Sequence, residues 1–282
     1  MLAMALFFPL DQIRLRQQSS RSSEQRRKSI LQLIQEMGVS GLYRGLLPTL
    51  IAIGASSGIY FYIYNVLQYL VERKVRVRVT AGLNLVLAFL AGCINATLTC
   101  PLWVAVTRLK LQQRGDGEPG STISKLRGEI GKVLSSGDAF KGLPSSLLLC
   151  SNPAIQFGIY EQIRKGLLRK SGKRVITLSP SAGFWLGAFA KAMATVLTYP
   201  LQVVQVRTRE RGGPASMGSS FRKLFRDEGL AGFFDGLRAK LAQTVLTSAL
   251  MSSLYEAILR TVIHLRHGRR KLMHRATLPS IK

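Results

Sequence analysis

Thr99-Cys100-Pro101-Leu102-Trp103 closes an apolar stretch, and the same proline-centred pattern recurs as Phe7-Phe8-Pro9-Leu10-Asp11 and Thr198-Tyr199-Pro200-Leu201-Gln202. The prolines stand 92 and 99 residues apart. Repetition near a hundred residues is too long for a solenoid unit of about 20–50 residues, so the chain reads as three copies of a larger module. The copies are expected over residues 1–70, 83–165 and 180–263, the first N-terminally incomplete, with a basic tail over 264–282.

Composition places the module in a membrane. The 282 residues are 47% hydrophobic, yet the net charge is +26. Segregation reconciles the two. Five stretches almost free of charge, Leu46–Leu70, Leu83–Thr107, Leu143–Tyr160, Ser181–Gln205 and Leu241–Ile263, alternate with short segments crowded with Lys and Arg. Each is near the ~20 residues that cross a bilayer as a helix. Five such runs in a small soluble protein would leave too little polar surface to cover them. The spacings Gly54/Gly58, Ala88/Gly92 and Gly183/Gly187 support close helix packing in lipid. The 40 Lys and Arg are spread almost evenly over the two sets of loops, so the positive-inside rule leaves orientation open.

The opening MLAMALFF has no basic n-region, so no cleavable signal is expected. Only eight residues precede Pro9, which makes a truncated first helix the expectation. Between the spans, Ser29–Glu36 and Ser220–Glu228 carry apolar residues at helical spacing, as in a short amphipathic helix on a membrane surface. Glycine turns follow, ending Tyr43-Arg44-Gly45, Phe140-Lys141-Gly142 and Phe234-Asp235-Gly236. Their starts at Gly38, Gly137 and Gly229 give intervals of seven, five and seven residues, a contraction that leaves the local geometry of the second turn open.

Other classes fit poorly. No Ser/His/Asp set, carboxylate pair, metal cluster or phosphate loop points to an enzyme. The charge is dispersed over every loop instead of forming one face, which argues against nucleic acid. Cys93, Cys100 and Cys150 lie in apolar stretches without ligand spacing and read as small apolar residues in a reducing setting. His264, His267 and His274 sit in the basic tail with no second ligand cluster, so no metal site is expected.

The threefold pattern, Pro-x-acid-x-x-base on the odd helices and aromatic-acid-x-x-base on the even ones, resembles the mitochondrial carrier family over essentially the whole chain. Pro9-Leu10-Asp11-Gln12-Ile13-Arg14 and Tyr160-Glu161-Gln162-Ile163-Arg164 match the two elements in full. The strings PLWVAVTRLKLQ (Pro101 to Gln112), NPAIQF (Asn152 to Phe157), TYPLQVVQ (Thr198 to Gln205) and AKLAQTVLTSALM (Ala239 to Met251) are similar to the family's peroxisomal branch, which carries coenzyme A, FAD and NAD. The resemblance implies an all-α membrane protein of the three-repeat, six-transmembrane-helix carrier fold. Tilted helices would surround a cavity open to one side at a time, with both termini in the cytosol. It also implies a monomer of the peroxisomal membrane, with no permanently bound cofactor and the peroxisomal membrane-protein import receptor as a partner. The competing location is the mitochondrial inner membrane, for another nucleotide or an organic anion.

Carried over position by position, the family's gates oppose Asp11 to Val106, Trp103 to Gln205 and Gln202 to Arg14 on the lumenal side. Only the last is a polar contact, with Asp11 falling back on Arg14 three residues along its own helix. On the other side the pairs become Asn65 with Arg164, Glu161 with Leu259 and Glu256 with Gln68. Both barriers are expected to be weak, since exposed pairs contribute only about 0–1 kcal/mol each. The bland alternative is that proline and flanking charge merely end a helix at the headgroups.

Inside the cavity the candidates are cationic and neutral. Lys191 lies nine residues before Pro200 in an otherwise apolar helix, where a cation marks a functional site by default. Lys240 would engage phosphates with it, or else snorkel to the headgroups. Asn95, Asn152, Gln156, Gln243 and Thr244 offer donors and acceptors for a nucleobase or an amide arm, or else bond between helices. The resemblance places substrate contacts at Ala52, Leu148, Leu149 and Thr244, the leucines suiting an adenine. The turns at Arg44, Gly45, Lys141 and Gly142 are candidate sites for the phosphate of membrane lipids.

Overall fold

The computed structural model describes residues 5–19, 29–75, 80–112, 121–171, 180–214 and 216–247, and their regular structure is helical throughout. The first repeat holds α1 (Phe8–Gln18), α2 (Ile30–Leu42) and α3 (Leu46–Leu70), the last running into a π turn, Val71–Val75. The second holds α4 (Ala81–Leu111), α5 (Thr122–Ser135), α6 (Leu143–Leu149) and α7 (Asn152–Ser171). The third holds α8 (Pro180–Arg209), α9 (Met217–Glu228), a 3-10 turn Ala231–Phe234 and α10 (residues 237–247).

Two of the described helices, Leu46–Arg73 and Gly82–Leu111, are long and apolar enough to cross a bilayer. Their most apolar windows are only 17% and 22% buried within the protein. Apolar surface left open on that scale needs another cover, which lipid supplies. α4 and α8 run on through Pro101 and Pro200. Each ring lacks the N–H that would bond the carbonyl four residues earlier.

The third apolar stretch departs from expectation. Instead of one span over Leu143–Tyr160 the chain breaks at Cys150-Ser151 between α6 and α7. Pro153 cannot donate to the helical ladder, and it restricts Asn152 before it.

Each repeat packs its surface helix on its proline-bearing helix through one leucine: Leu33 of α2 with Ile13, Leu126 of α5 with the Val104–Ala105 segment, and Leu224 of α9 with Val203 and Val204. Ser216 and Ser219 form a reciprocal cap that starts α9. A fourth small cluster takes one residue from each of α1, α4 and α8: Leu15, Leu111 and Val206. It plugs the proline end of the bundle. The contracted second turn does not depart from the others: Gly137 and Gly142 take positive φ of 72° and 77°, beside 61° and 79° at Gly38 and Gly45 and 64° and 79° at Gly229 and Gly236.

Candidate functional site

Above the plug lies a cavity of about 490 Å³, walled by α1, α3, α4, α6 and α8. Arg14, Lys110 and Arg209 line it against a single carboxylate, Asp11, so its field favours anions. Three contacts close its proline end in a circle. Gln12 Nε2 donates to the Lys110 carbonyl at 2.7 Å, Arg108 Nε to the Arg209 carbonyl at 3.2 Å, and Arg207 Nε to the Gln18 carbonyl at 3.1 Å. Arg108 and Arg207, each seven residues past its proline, are also anchored within their own repeats. Arg108 pairs with Asp138 at 2.5 Å and Arg207 holds both carboxylate oxygens of Glu228 at 2.6 Å.

The gate differs from the pairing carried over from the family. Asp11 is not left to Arg14 alone: it forms an ion pair with Lys110 of the next repeat, while Arg14 stands 3.7 Å from it. Lys110 lies one helical turn beyond Val106 and also sits 4.8 Å over the Phe8 ring. The Gln202–Arg14 contact does not form. Gln202 donates to Thr198 Oγ1 on its own helix at 3.5 Å, and Arg14 Nε donates to Gln18 at 3.3 Å. Trp103 and Gln205 do line the same cavity, but Gln205 donates to Ser146 Oγ at 2.7 Å. Lys110, Arg209 and Ser146 escaped the sequence reading. The signal for the two bases was their place nine residues after Pro101 and Pro200; Ser146 had none.

At the far end the described residues form none of the expected cross-repeat gate pairs, and the first two repeats meet there through Tyr64 Oη, which donates to Asn84 Oδ1 at 3.1 Å. Arg164 pairs with Glu161 three residues back at 3.4 Å, Gln68 donates to Glu72 at 3.1 Å, and Asn65 is exposed. Glu256 and Leu259 lie outside the described residues. The conformation is therefore one held together at the proline end.

Of the expected substrate contacts, Asn95 and Leu149 reach the cavity wall. Asn95 shares a hydrogen bond with Ser56 of α3 at 3.0 Å. Lys191 is not a free cation in that cavity: its ammonium donates to Asn152 Oδ1 at 3.2 Å, while Asn152 Nδ2 donates to Thr198 Oγ1 at 2.7 Å. The pair ties α7 to α8, the helix-bonding alternative. Ala52 is fully buried in the core beneath α4, and Leu148 is 49% exposed outside the cavity lining. Gln243 is buried with its Oε1 unpartnered, Thr244 donates to the Lys240 carbonyl at 2.8 Å, and Gln156 is half-buried. Lys240 is half-buried within electrostatic reach of Asp11, Arg14 and Lys110.

The turn glycines face inward. A Cβ on Gly45 would stand 2.7 Å from Lys110 Cγ, and one on Gly142 would stand 3.2 Å from Arg209 Cγ and Nε. These glycines admit the bases of the next repeat, a role the lipid reading did not foresee. Lys141 is engaged by Asp138 at 2.9 Å, whereas Arg44 makes no ion pair among the described residues.

The profile of the mitochondrial carrier protein family matches residues 1–75, 78–171 and 177–265, three consecutive copies. The chain belongs to the mitochondrial carrier family. Members are transporters and not enzymes, and they cross the membrane several times. Among curated proteins, this carrier is 38% identical to peroxisomal membrane protein PMP34 of Mus musculus, over 91% of this chain and 88% of the relative. It is 29% identical to the peroxisomal nicotinamide adenine dinucleotide carrier of Arabidopsis thaliana, over 92% of each. Peroxisomal adenine nucleotide carrier 1 of the same plant is 30% identical, over 93% of this chain and 87% of the relative.

Proposed function

We propose that this carrier moves nucleotide-type cofactors across the peroxisomal membrane by alternating access, with NAD and adenine nucleotides as the core substrate class and coenzyme A and FAD as further members. The observation that carries the reading is the cavity itself, lined by three cations and one carboxylate at the closed end of a three-repeat bundle. Relatives named for peroxisomal NAD and adenine nucleotide transport supply the chemical class and the membrane.

Solute enters from the unlatched end. Arg14, Lys110 and Arg209 attract phosphate oxygens, while Asn95 and Leu149 offer a polar and an apolar surface to the remainder. The Asp11–Lys110 pair and the circle of carbonyl contacts act as the lumenal gate. Solute opens it only by interacting better with the rearranged state than with this one. Trp103, Gln205 and Gln202 shape that end without adding an ion pair; Arg164, Glu161, Asn65, Gln68 and Glu256 belong to the opposing gate. Arg44 and Lys141, at the surface turns, face the lipid headgroups. The carrier works as a monomer delivered by the peroxisomal membrane-protein import receptor.

Uptake by vesicles holding the purified full chain, measured over coenzyme A, FAD, FMN, NAD, AMP and ADP, tests the proposal. Accumulation of at least one above protein-free vesicles is expected, and equal uptake of all six in both overturns it. A tagged chain that co-localises with mitochondrial instead of peroxisomal markers overturns the location.

A further inference from the structure

We propose that Arg209, with Ser146 beside it, is an anion subsite at the cavity floor, where a phosphate oxygen of the solute takes the place of a carboxylate that the second repeat lacks. This deepens the transport reading and rests on it.

The argument starts from the repeat. In the first junction the residue two past Pro9, Asp11, pairs with the residue nine past Pro101, Lys110. The same offsets one repeat later select Trp103 and Arg209, and both line the cavity. Trp103 carries no charge. Among the described residues Arg209 forms no ion pair, although it is only 9% exposed. Its Nη2 donates to Ser146 Oγ at 2.8 Å, and its Nε has no hydrogen-bond partner. Burying a charge is costly unless it is paired.

The unpaired edge is also kept clear. Gly142, at φ +77°, passes its backbone where a Cβ would come within 3.2 Å of that Nε. A larger residue would cover it. Lys191, farther up the same helix, shows the contrast: its ammonium is already bonded to Asn152. Ser146, whose hydroxyl donates to the Gly142 carbonyl at 2.9 Å, holds one edge of the guanidinium fork, and the edge with the unpartnered Nε–H suits the several acceptor oxygens of a phosphate better than a neutral base.

The decisive probe is inorganic pyrophosphate, added to the purified full chain in detergent while thermal unfolding is followed. The wild type is expected to unfold at higher temperature as pyrophosphate rises. In Arg209→Gln the half-maximal concentration should increase by about ten- to a hundredfold. Trp103→Asp, which supplies the missing carboxylate from within, should stay folded and lose the response to pyrophosphate. Equal responses of wild type and Arg209→Gln, or an unaltered response in Trp103→Asp, overturn the subsite. Should Arg209→Gln fail to fold, Trp103→Asp decides alone.

Two further arms identify the source of the phosphate. In neutral phosphatidylcholine vesicles, Arg209→Gln should depress uptake of AMP and NAD. If a soluble short-chain phosphatidylglycerol protects through Arg209 and pyrophosphate does not, the site belongs to a headgroup and the solute assignment falls. Absence of uptake by the wild type would sink the transport reading, whereas the pyrophosphate response judges the subsite independently.

Discussion

The junction of the first and second repeats and the junction of the second and third are built on one plan and charged differently. At each, a turn glycine lets a base of the following repeat approach closely, Gly45 for Lys110 and Gly142 for Arg209. Among the described residues only the first base meets a carboxylate. The first junction is therefore satisfied when empty, whereas at the second Arg209 donates only to the neutral Ser146 hydroxyl, which also accepts from Gln205. Pseudo-symmetric repeats can thus share geometry while dividing the work between holding a gate and receiving cargo.

The sharpest way to break the comparison is Asp11→Asn, which makes the first junction resemble the second. A buried cation losing its partner costs roughly 3–5 kcal/mol, so the detergent-solubilised variant should unfold far below the wild type. Next, Gly45→Ala should cost about 2 kcal/mol from its left-handed backbone alone, with more from the overlap on Lys110. Gly142→Ala, whose nearest contact is looser, should cost less. Comparing the two melting temperatures checks the ranking.

Asn152→Ala strips Lys191 of its acceptor and should lower stability by about 1–3 kcal/mol. Replacing both with apolar residues of similar size should recover most of that loss in the same assay. The outermost contacts contribute least. Burial alone raises the Asp138 carboxyl, but hydrogen bonds from Lys141 and Arg108 outweigh it and hold its pKa below the ordinary value. A depressed folded pKa means that the contribution is present above about pH 4 and is lost as pH falls further. The stability difference between wild type and Asp138→Asn should accordingly shrink toward zero in acid. Gln202→Ala should shift stability by no more than about 0.5 kcal/mol, because its one side-chain bond is to its own helix.

Most of the fold was legible in the sequence, because its signals are local. Prolines, glycines and helical spacing set the three repeats, the surface helices and the turns. The break before Pro153 was also written in the chain, yet the apolar run around it suggested an unbroken span. The gate was legible only as a zone. Which base meets Asp11 depends on how far neighbouring helices slide and rotate against each other, and a shift of one turn exchanged Val106 for Lys110. Lys191 misled for a related reason: a charge in an apolar helix demands a partner, but the sequence does not say whether that partner is solute or the Asn152 of the next helix.

The circle that joins α1, α4 and α8 grips main-chain oxygens, at residues 18, 110 and 209, with side chains from residues 12, 108 and 207. Evolutionary drift at the gripped positions leaves each acceptor in place, whatever residue arrives, whereas drift at a gripping position releases one helix from the next. A change of side chain at 110 or 209 therefore leaves the ring that carries it joined.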